Sequence, residues 1–589
     1  MNRPIRQRIA ALRSWMKAQG IEAFIVPTND PHNSEYVAPH WQCRSWLTGF
    51  DGSAGTAVIT LRKAALWTDS RYFLQAAEQL EGTGIELQRL AQPGTPTIGQ
   101  WLAKQLKGNQ RRVAIDGWLD NGSWSDDLQQ HLGIELEYSD DPFHTIWEQR
   151  PPLPQDPVTI HSLSFAGESC PDKLKRIRQV IAQHRASGIL LSALDEIAWS
   201  LNLRGNDVHC VPVFVSYLLV KPQSATLYID RQKLTPETTE QLAQCGVSIR
   251  PYTAIATDAQ RLKGKILTDA HLNGQLRSCL KESLTLSPTP VSLMKSVKNE
   301  VEQEGFRRAM LRDGVALVKW LRWLKPAVEA GGETEMSIDR HLTALRAEQE
   351  HFRDISFDTI AGYGPHAAIV HYEATPESDA ALEPHGLLLV DSGAQYSDGT
   401  TDVTRTIALG PLTPDERRDY TLVLKGFLHL QQAVFPEGTF GTQLDALAHQ
   451  FIWQYGQNYM HGTGHGVGSY LSVHEGPHQI RSNYMPALLQ AGMTVTDEPG
   501  LYQAGRHGIR IENTLLIVPA MTTEYGRFLR FEPLTLCPID TTPIDFSLLT
   551  PEEAGWLNDY HRLVRERLSP LLDEEEKAWL AEATREISC

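Results

Sequence analysis

The sequence predicts two α/β units in succession, followed by a larger α+β domain. Three observations predict it. Two proline clusters divide the chain, the first two segments repeat one order of elements, and the third mixes helical patterns with apolar strands. The first cluster is Pro151, Pro152, Pro154 and Pro157; the second is Pro288 and Pro290, within SLTLSPTP. Proline disfavours helix and ladder bonding, so such runs mark boundaries. The domains expected are 1–150, 151–290 and 291–589, each close to common domain sizes.

In the first segment Ile5, Ile9, Leu12 and Met16 fall on one helical face. That helix is expected to stop at Gly20, a residue suited to the left-handed cap. A strand-like IEAFIVPT follows, then Trp46 to Gly49, AGTAVIT, and AALWTDSR ending in Arg71. In the second segment Leu174, Ile177 and Ile181 line a helix expected to stop at Gly188. ILLSAL, Trp199 to Gly205, VPVFVSYLLV and ATLYIDR follow in the same order. This shared order predicts a duplicated α/β unit. In the third segment Leu311, Val315, Val318 and Leu321 predict a helix ended by Pro326. LLLVDSGA and TLLIV read as strands, LDALAHQFIWQYG as a helix, and the tail from Thr541 as amphipathic helices that pack on the core or on a partner subunit.

Composition excludes several classes. Of the 589 residues, 41% are hydrophobic and 21% charged, which is globular and neither disordered nor fibrous. Asp plus Glu is 71 against 55 Lys plus Arg, a formal charge of −16. An acidic surface argues against nucleic acid or an anionic membrane as partner. No apolar run reaches the roughly 18 residues of a membrane span. Met1 to Arg8 is basic, yet no apolar h-region or cleavage site follows it. The seven cysteines, Cys43, Cys170, Cys210, Cys245, Cys279, Cys537 and Cys589, are odd in number and widely spaced without CxxC. Reduced, mostly buried thiols and a cytoplasmic location are expected.

Five residues between His371 and Glu512 carry the chemistry: Asp391, Asp402, His465, Glu498 and Glu512. Asp391 ends the apolar LLLVD, where a carboxylate is costly unless paired or bound to a cation. Asp402 follows eleven residues later, and two strands joined by a turn bring both carboxylates to one point. His465 sits in HGTGHGVG, whose glycines allow close backbone approach. Glu498 precedes Pro499-Gly500, so its chain is turn-like. In GIRIENTLLIV, Arg510 and Glu512 fall on the same face of an alternating strand. Four carboxylates and one histidine suit two divalent ions about 3.5–4 Å apart. Manganese is favoured by so many oxygen donors, with zinc, cobalt or iron as other occupants. Asp402 and Glu512 are the residues expected to bridge the pair.

Three patterns are decoys. His474 to His478 spells HExxH, but Gly476 and Pro477 inside the turn oppose the helix that motif needs. Asp391-Ser392-Gly393 is too short to mark a nucleophile. The glycines from Gly462 to Gly468 are not followed by GK[ST] and do not form a phosphate loop.

VDSGAQYSDGTTDVTRT, HGTGHGVGSYLSVHEGP, TDEPGLY and GIRIENT resemble the pita-bread metallopeptidase family, which includes methionine aminopeptidase, prolidase, creatinase and Xaa-Pro aminopeptidase. SEYVAPHWQCRSWLTGFDGSAGTAVITL and ALWTDSRYFLQAAEQL extend the resemblance to nearly the whole chain. It is strongest to the cytosolic three-domain Xaa-Pro aminopeptidases. It implies two creatinase-like α/β N-terminal domains and an α+β pita-bread catalytic domain. It assigns Asp391, Asp402 and Glu512 to one ion, and Asp402, His465, Glu498 and Glu512 to the other. It makes His371 and His474 catalytic and substrate-contacting, and places His461, Tyr502, Arg510 and Arg71 around substrate. For Arg71 the competing reading is an ion pair with Asp69, and for His461 ordinary structural bonding.

The resemblance further implies release of an N-terminal residue when proline is second, by a metal-bridging hydroxide attacking the scissile carbonyl. Glu498 would serve as general base, and His474 would assist the tetrahedral intermediate. The bond before proline has no N–H, so an enzyme that grips that N–H cannot take it. A homodimer is also implied. Two alternatives stay open: a prolidase cutting Xaa-Pro dipeptides, and a peptide-binding scaffold without catalysis. The second N-terminal domain argues against the first, and the complete ligand set against the second.

Overall fold

The computed structural model describes residues 2–106 and 111–588. Met1 and Cys589, both used in the sequence reading, lie outside the described residues. The chain forms two compact units, Met1–Ile160 with Ser169–Val291, and His161–Glu168 with Ser292–Cys589.

The first unit holds two six-stranded sheets. The first sheet contains β1 (Ala23–Pro27), β2 (Thr56–Thr60), β3 (Ala64–Thr68), β4 (Glu86–Arg89), β5 (Val113–Asp116) and β6 (Glu137–Ser139), in the order β4-β3-β2-β1-β5-β6. β1 pairs antiparallel with β2 and parallel with β5. In the second sheet Gly188–Leu191, Tyr217–Val220, Ala225–Tyr228, Val247–Arg250, Ile266–Thr268 and Leu284–Leu286 take the same six places. The pattern of parallel and antiparallel pairs is also the same. The two α/β units are therefore copies of one topology.

The opening helix, Asn2–Gln19, buries Ile5, Ile9, Leu12 and Met16 and ends at Gly20, with φ of 70°. The corresponding helix of the second copy does not reach Gly188. It spans Cys170–Gln183, and Arg185 takes the left-handed conformation instead. Gly188 opens a strand, where an added Cβ would meet the Val220 carbonyl oxygen at 2.9 Å. Close strand approach, not helix termination, is what that glycine serves.

In the second unit the helix Glu300–Ala330 runs through Pro326 and ends at Gly331. Pro326 removes only one bond near the helix end. Leu324 and Val328 on either side are buried in the core, which holds the last turn helical. Three strands, Ile360–Tyr363, Leu387–Ser392 and Val403–Ala408, pair antiparallel with Leu387–Ser392 in the middle. A four-stranded sheet orders Val434–Pro436, Gly526–Pro533, Asn513–Thr523 and Thr494–Asp497. The helix Pro414–Gln431, started by a Thr413–Glu416 capping box, packs on this framework. The tail helices Pro551–Leu568 and Glu574–Ala583 bury Leu557, Val564, Leu568 and Leu580 in the same core, so they belong to the domain itself. Among the described residues, no helix is long and apolar enough to cross a membrane.

Two buried histidines make this unit sensitive to acid. His478 Nε2 donates to the Thr494 carbonyl at 2.7 Å, while His561 Nε2 accepts from the Ile539 N–H at 3.1 Å. Burial pushes both imidazoles down to about 4, and neither Nδ1 has a hydrogen-bond partner. In the unfolded chain each titrates near about 6.5. At these two imidazoles the unfolded state thus binds more protons between those values, and their contribution to stability falls as pH drops through that window. Shifts of this size are worth on the order of 3 kcal/mol per imidazole. Thermal melts of wild type and His561→Gln taken from pH 7.5 down to 4.5 are expected to show the wild type losing more stability below about pH 6.5; parallel profiles to pH 5 would rule this out.

Candidate metal centre

The antiparallel register sets Asp391 opposite Thr404. Asp402 lies just before the strand that carries Thr404, so both carboxylates reach one end of the pair. Glu512 falls in the short break between the strands His507–Arg510 and Asn513–Thr523. Its backbone N–H donates to the Thr404 carbonyl at 3.1 Å. His465 lies on the strand Gly464–Gly466, and Glu498 follows the strand Thr494–Asp497. The Glu498 N–H donates to the Thr463 carbonyl at 2.8 Å, tying these two segments together.

Donor atoms of Asp402, His465 and Glu512 lie within 4.8 Å of one another. His465 Nε2 is 3.5 Å from Asp402 Oδ2 and 3.3 Å from Glu498 Oε1. Its Nδ1 sits 2.9 Å from the Gly466 carbonyl oxygen. A bond there makes Nδ1 the donor to the backbone and turns Nε2 to the carboxylates, the nitrogen a metal would take once its proton is lost. Thr404 Oγ1 donates to Glu512 Oε2 at 2.7 Å, and Thr496 Oγ1 donates to Glu498 Oε1 at 3.1 Å. The sequence reading did not single out these two threonines. Their signal was faint: each stands on a strand beside a ligand, with its hydroxyl on the ligand's side.

Asp391 is gripped on one oxygen only. Arg510 Nη2 and Nε donate to its Oδ2 at 2.6 and 3.2 Å. Its Oδ1 is buried and has no hydrogen-bond partner. Burial raises the Asp402 and Glu512 carboxyls well above the carboxylate range, and the nearby like charges raise them further. Glu498 goes the other way: burial opposes its charge, but His465 holds it below the usual range. An orphaned buried oxygen and mutually repelling carboxylates form a site that lacks positive charge. Divalent cations fit it, and an oxygen-rich set suits hard or borderline ions.

The remaining residues form a surround. Arg510 Nη1 donates to the Tyr502 hydroxyl at 2.7 Å, and that hydroxyl lies 2.8 Å from His461 Nε2. His461 Nδ1 is 2.8 Å from the Gly462 carbonyl oxygen. The relay Asp391–Arg510–Tyr502–His461 is therefore continuous. Burial pushes His461 down to about 4, so it stays neutral. His474 is half-buried, with its ring 4.4 Å from that of His465 and nearly perpendicular to it. It directly precedes the strand Glu475–Ile480, so HExxH here is a strand and not a helix.

His371 is half-buried in the turn after Gly364–Ala368. Its loop is anchored by Glu335, which accepts from Tyr363 N–H, Tyr372 Oη and Ala380 N–H and faces His366 Nδ1. Glu335 was not foreseen from the sequence. Arg71 lies in the first unit, where Asp69 binds it at 2.9 Å and Glu35 at 3.6 Å.

A buried carboxylate and histidine cluster at converging strand ends, in a chain that also carries two copies of an α/β unit, defines a metallohydrolase. Residues 304–519 match metallopeptidase family M24 and 527–587 the C-terminal region of that peptidase. Residues 8–146 and 149–302 each match the creatinase/prolidase N-terminal domain. The chain is 40% identical over 614 residues to a probable Xaa-Pro aminopeptidase P of Paracoccidioides brasiliensis, across 99% of both chains. It is 38% identical over 642 residues to aminopeptidase P1 of Arabidopsis thaliana, across 98% of this chain and 99% of that one. The crystal structure of an X-prolyl aminopeptidase from Caenorhabditis elegans, described as a cytosolic enzyme with a di-nuclear active site, matches with a TM-score of 0.95. Identity there is 33%, over 99% of this chain and 100% of the other. The protein belongs to the Xaa-Pro aminopeptidase family of M24 metallopeptidases.

Proposed function

We propose that the protein is a metal-dependent aminopeptidase that releases the N-terminal residue from peptides with proline in second position. The observation that carries this is full-length likeness to Xaa-Pro aminopeptidases combined with the converging donors of Asp402, His465 and Glu512. Asp391, Asp402 and Glu512 would hold one divalent ion, and Asp402, His465, Glu498 and Glu512 a second. Bound there, the ions supply Lewis-acid and water-activating chemistry. Manganese is the proposed occupant of both positions.

Glu498, held ionised at neutral pH, takes a proton from the water that attacks the scissile carbonyl. His474 and His371 donate hydrogen bonds to substrate oxygens, and His474 faces the charge that develops on the carbonyl oxygen. Neutral His461 and Tyr502 keep Arg510 on Asp391 and shape the wall of the site. The tertiary amide before proline offers no N–H, so recognition falls on the free amine, the carbonyl and the ring. We place the enzyme in the cytoplasm, on the odd number and wide spacing of its cysteines, and expect a homodimer from the family. The three domains are proposed to be 1–150, 151–290 and 291–589.

The test is hydrolysis of Arg-Pro-Pro, Arg-Ala-Ala and Arg-Pro, first in chelator and then with manganese restored. Manganese-dependent release of arginine from Arg-Pro-Pro, with Arg-Ala-Ala untouched, is expected. Cleavage of Arg-Pro alone would make the protein a prolidase. Silence on all three with metal bound would overturn the peptidase reading.

A further inference from the structure

Glu475 stands where HExxH would put a general base, yet it is turned away from that role. Its side chain is fully buried and flanked by two buried lysines, Lys295 and Lys298, whose side chains are 3% and 1% exposed. Lys295 Nζ donates to Glu475 Oε2 at 2.5 Å, and Lys298 Nζ donates to Oε1. Three charges are thus removed from water at one point. Desolvation offsets much of the attraction in such a buried group, so stability alone explains it poorly.

Its position in the chain is more informative. Glu475 directly follows His474 and pairs across the hairpin with Gly466, the residue after His465. The ladder is irregular there, since His465 pairs with Gln479. The two backbones approach so closely that a Cβ on Gly466 would meet the Glu475 carbonyl oxygen at 2.5 Å. The lysine segment is itself tied down, with Lys298 N–H donating to the Gly492 carbonyl at 2.9 Å. Gly492 begins the segment that leads to Glu498. The lysines therefore clamp the hairpin at the first residue of the strand that follows His474, opposite the neighbour of His465.

We propose that Lys295, Glu475 and Lys298 form a positioning lock that holds His474 at its place beside His465 for turnover. The proposal rests on the aminopeptidase reading above and deepens it. Misplacing a catalytic group by about 1 Å costs on the order of 100-fold in rate.

The experiment is a double-mutant cycle on the full chain loaded with manganese: wild type, Glu475→Gln, His474→Ala and both together. For each, kcat and KM on Arg-Pro-Pro and the bound metal are measured. Glu475→Gln is expected to lower kcat at least about tenfold, with KM within about twofold and metal content unchanged. In the His474→Ala background the same change is expected to move kcat less than about twofold, because residues acting through one another are not additive. Equal losses in both backgrounds, or a loss that tracks metal content, would overturn the lock, as would an unchanged kcat. If Glu475→Gln does not fold, Lys298→Met takes its place in the same cycle, with the same criteria. An inactive wild type would overturn the aminopeptidase reading and the lock with it. An active wild type with an equally active Glu475→Gln overturns the lock alone.

Discussion

Glu512→Gln is expected to cripple turnover while making the metal-free protein more stable at neutral pH. The two effects share one cause. Glu512 is buried beside Asp402 and Asp391, and burial first, then their like charges, lift its carboxyl well above the usual range. Removing the charge relieves that repulsion. The amide oxygen of glutamine can still accept from Thr404 Oγ1, which lies 2.7 Å from Oε2 in the native chain. With the charge goes the donor expected to serve both ions. A loss of roughly 1,000-fold in kcat/KM, or about 4 kcal/mol of transition-state stabilisation, is expected. Melting curves with and without manganese provide the check. Wild type should gain stability on adding metal by mass action. Glu512→Gln should start higher without metal and gain little. A variant that keeps the full metal-induced gain would show that Glu512 does not hold the ions.

Arg510→Met is expected to be the most damaging single change to the folded catalytic unit. Arg510 is 2% exposed and gives Asp391 Oδ2 two hydrogen bonds. It also donates to Tyr502. Methionine fills much of the volume but leaves a buried carboxylate without its cation. Breaking a buried pair from one side costs about 3–5 kcal/mol. Denaturant unfolding of the metal-free protein measures that loss directly. Metal should restore part of it, because a cation on Asp391 replaces some of the missing charge. Arg510→Lys keeps the charge but not the planar fork, so it should fall between the two. Wild-type stability in Arg510→Met without metal would mean that Asp391 is neutral in the native protein.

Much of this architecture was legible in the sequence. The duplicated unit showed in the repeated order of helix, strand and Trp-to-Gly turn, because each element carries its own local pattern. The converging residues stood out by context: Asp391 at the end of LLLV, His465 among glycines, Glu498 before Pro-Gly, and Glu512 in an apolar alternation. Each is a position where an ordinary polar side chain would be costly, and that cost is written in the flanking residues. The tail helices were legible as amphipathic, but not which surface they cover.

Where the sequence misled, neighbours in space outweighed neighbours in the chain. Gly188 reads as a helix stop, yet it serves a strand pressed against Val220. Pro326 reads as a helix end, yet Leu324 and Val328 are buried and carry the helix past it. By itself the sequence determined the two α/β copies, the α+β third domain, the family and the residue types able to hold metal. Those follow from periodicity, turn chemistry and motifs within a few residues of one another. The tertiary structure alone decided the register that sets Asp391 opposite Thr404 and the hydroxyls that orient Glu498 and Glu512. It also decided the Glu335 anchor beneath the His371 loop and the lysines on Glu475. Lys295 and Lys298 lie 180 and 177 residues from Glu475 in the chain. No local preference encodes a contact at that distance; it exists only once the strands and helices have packed.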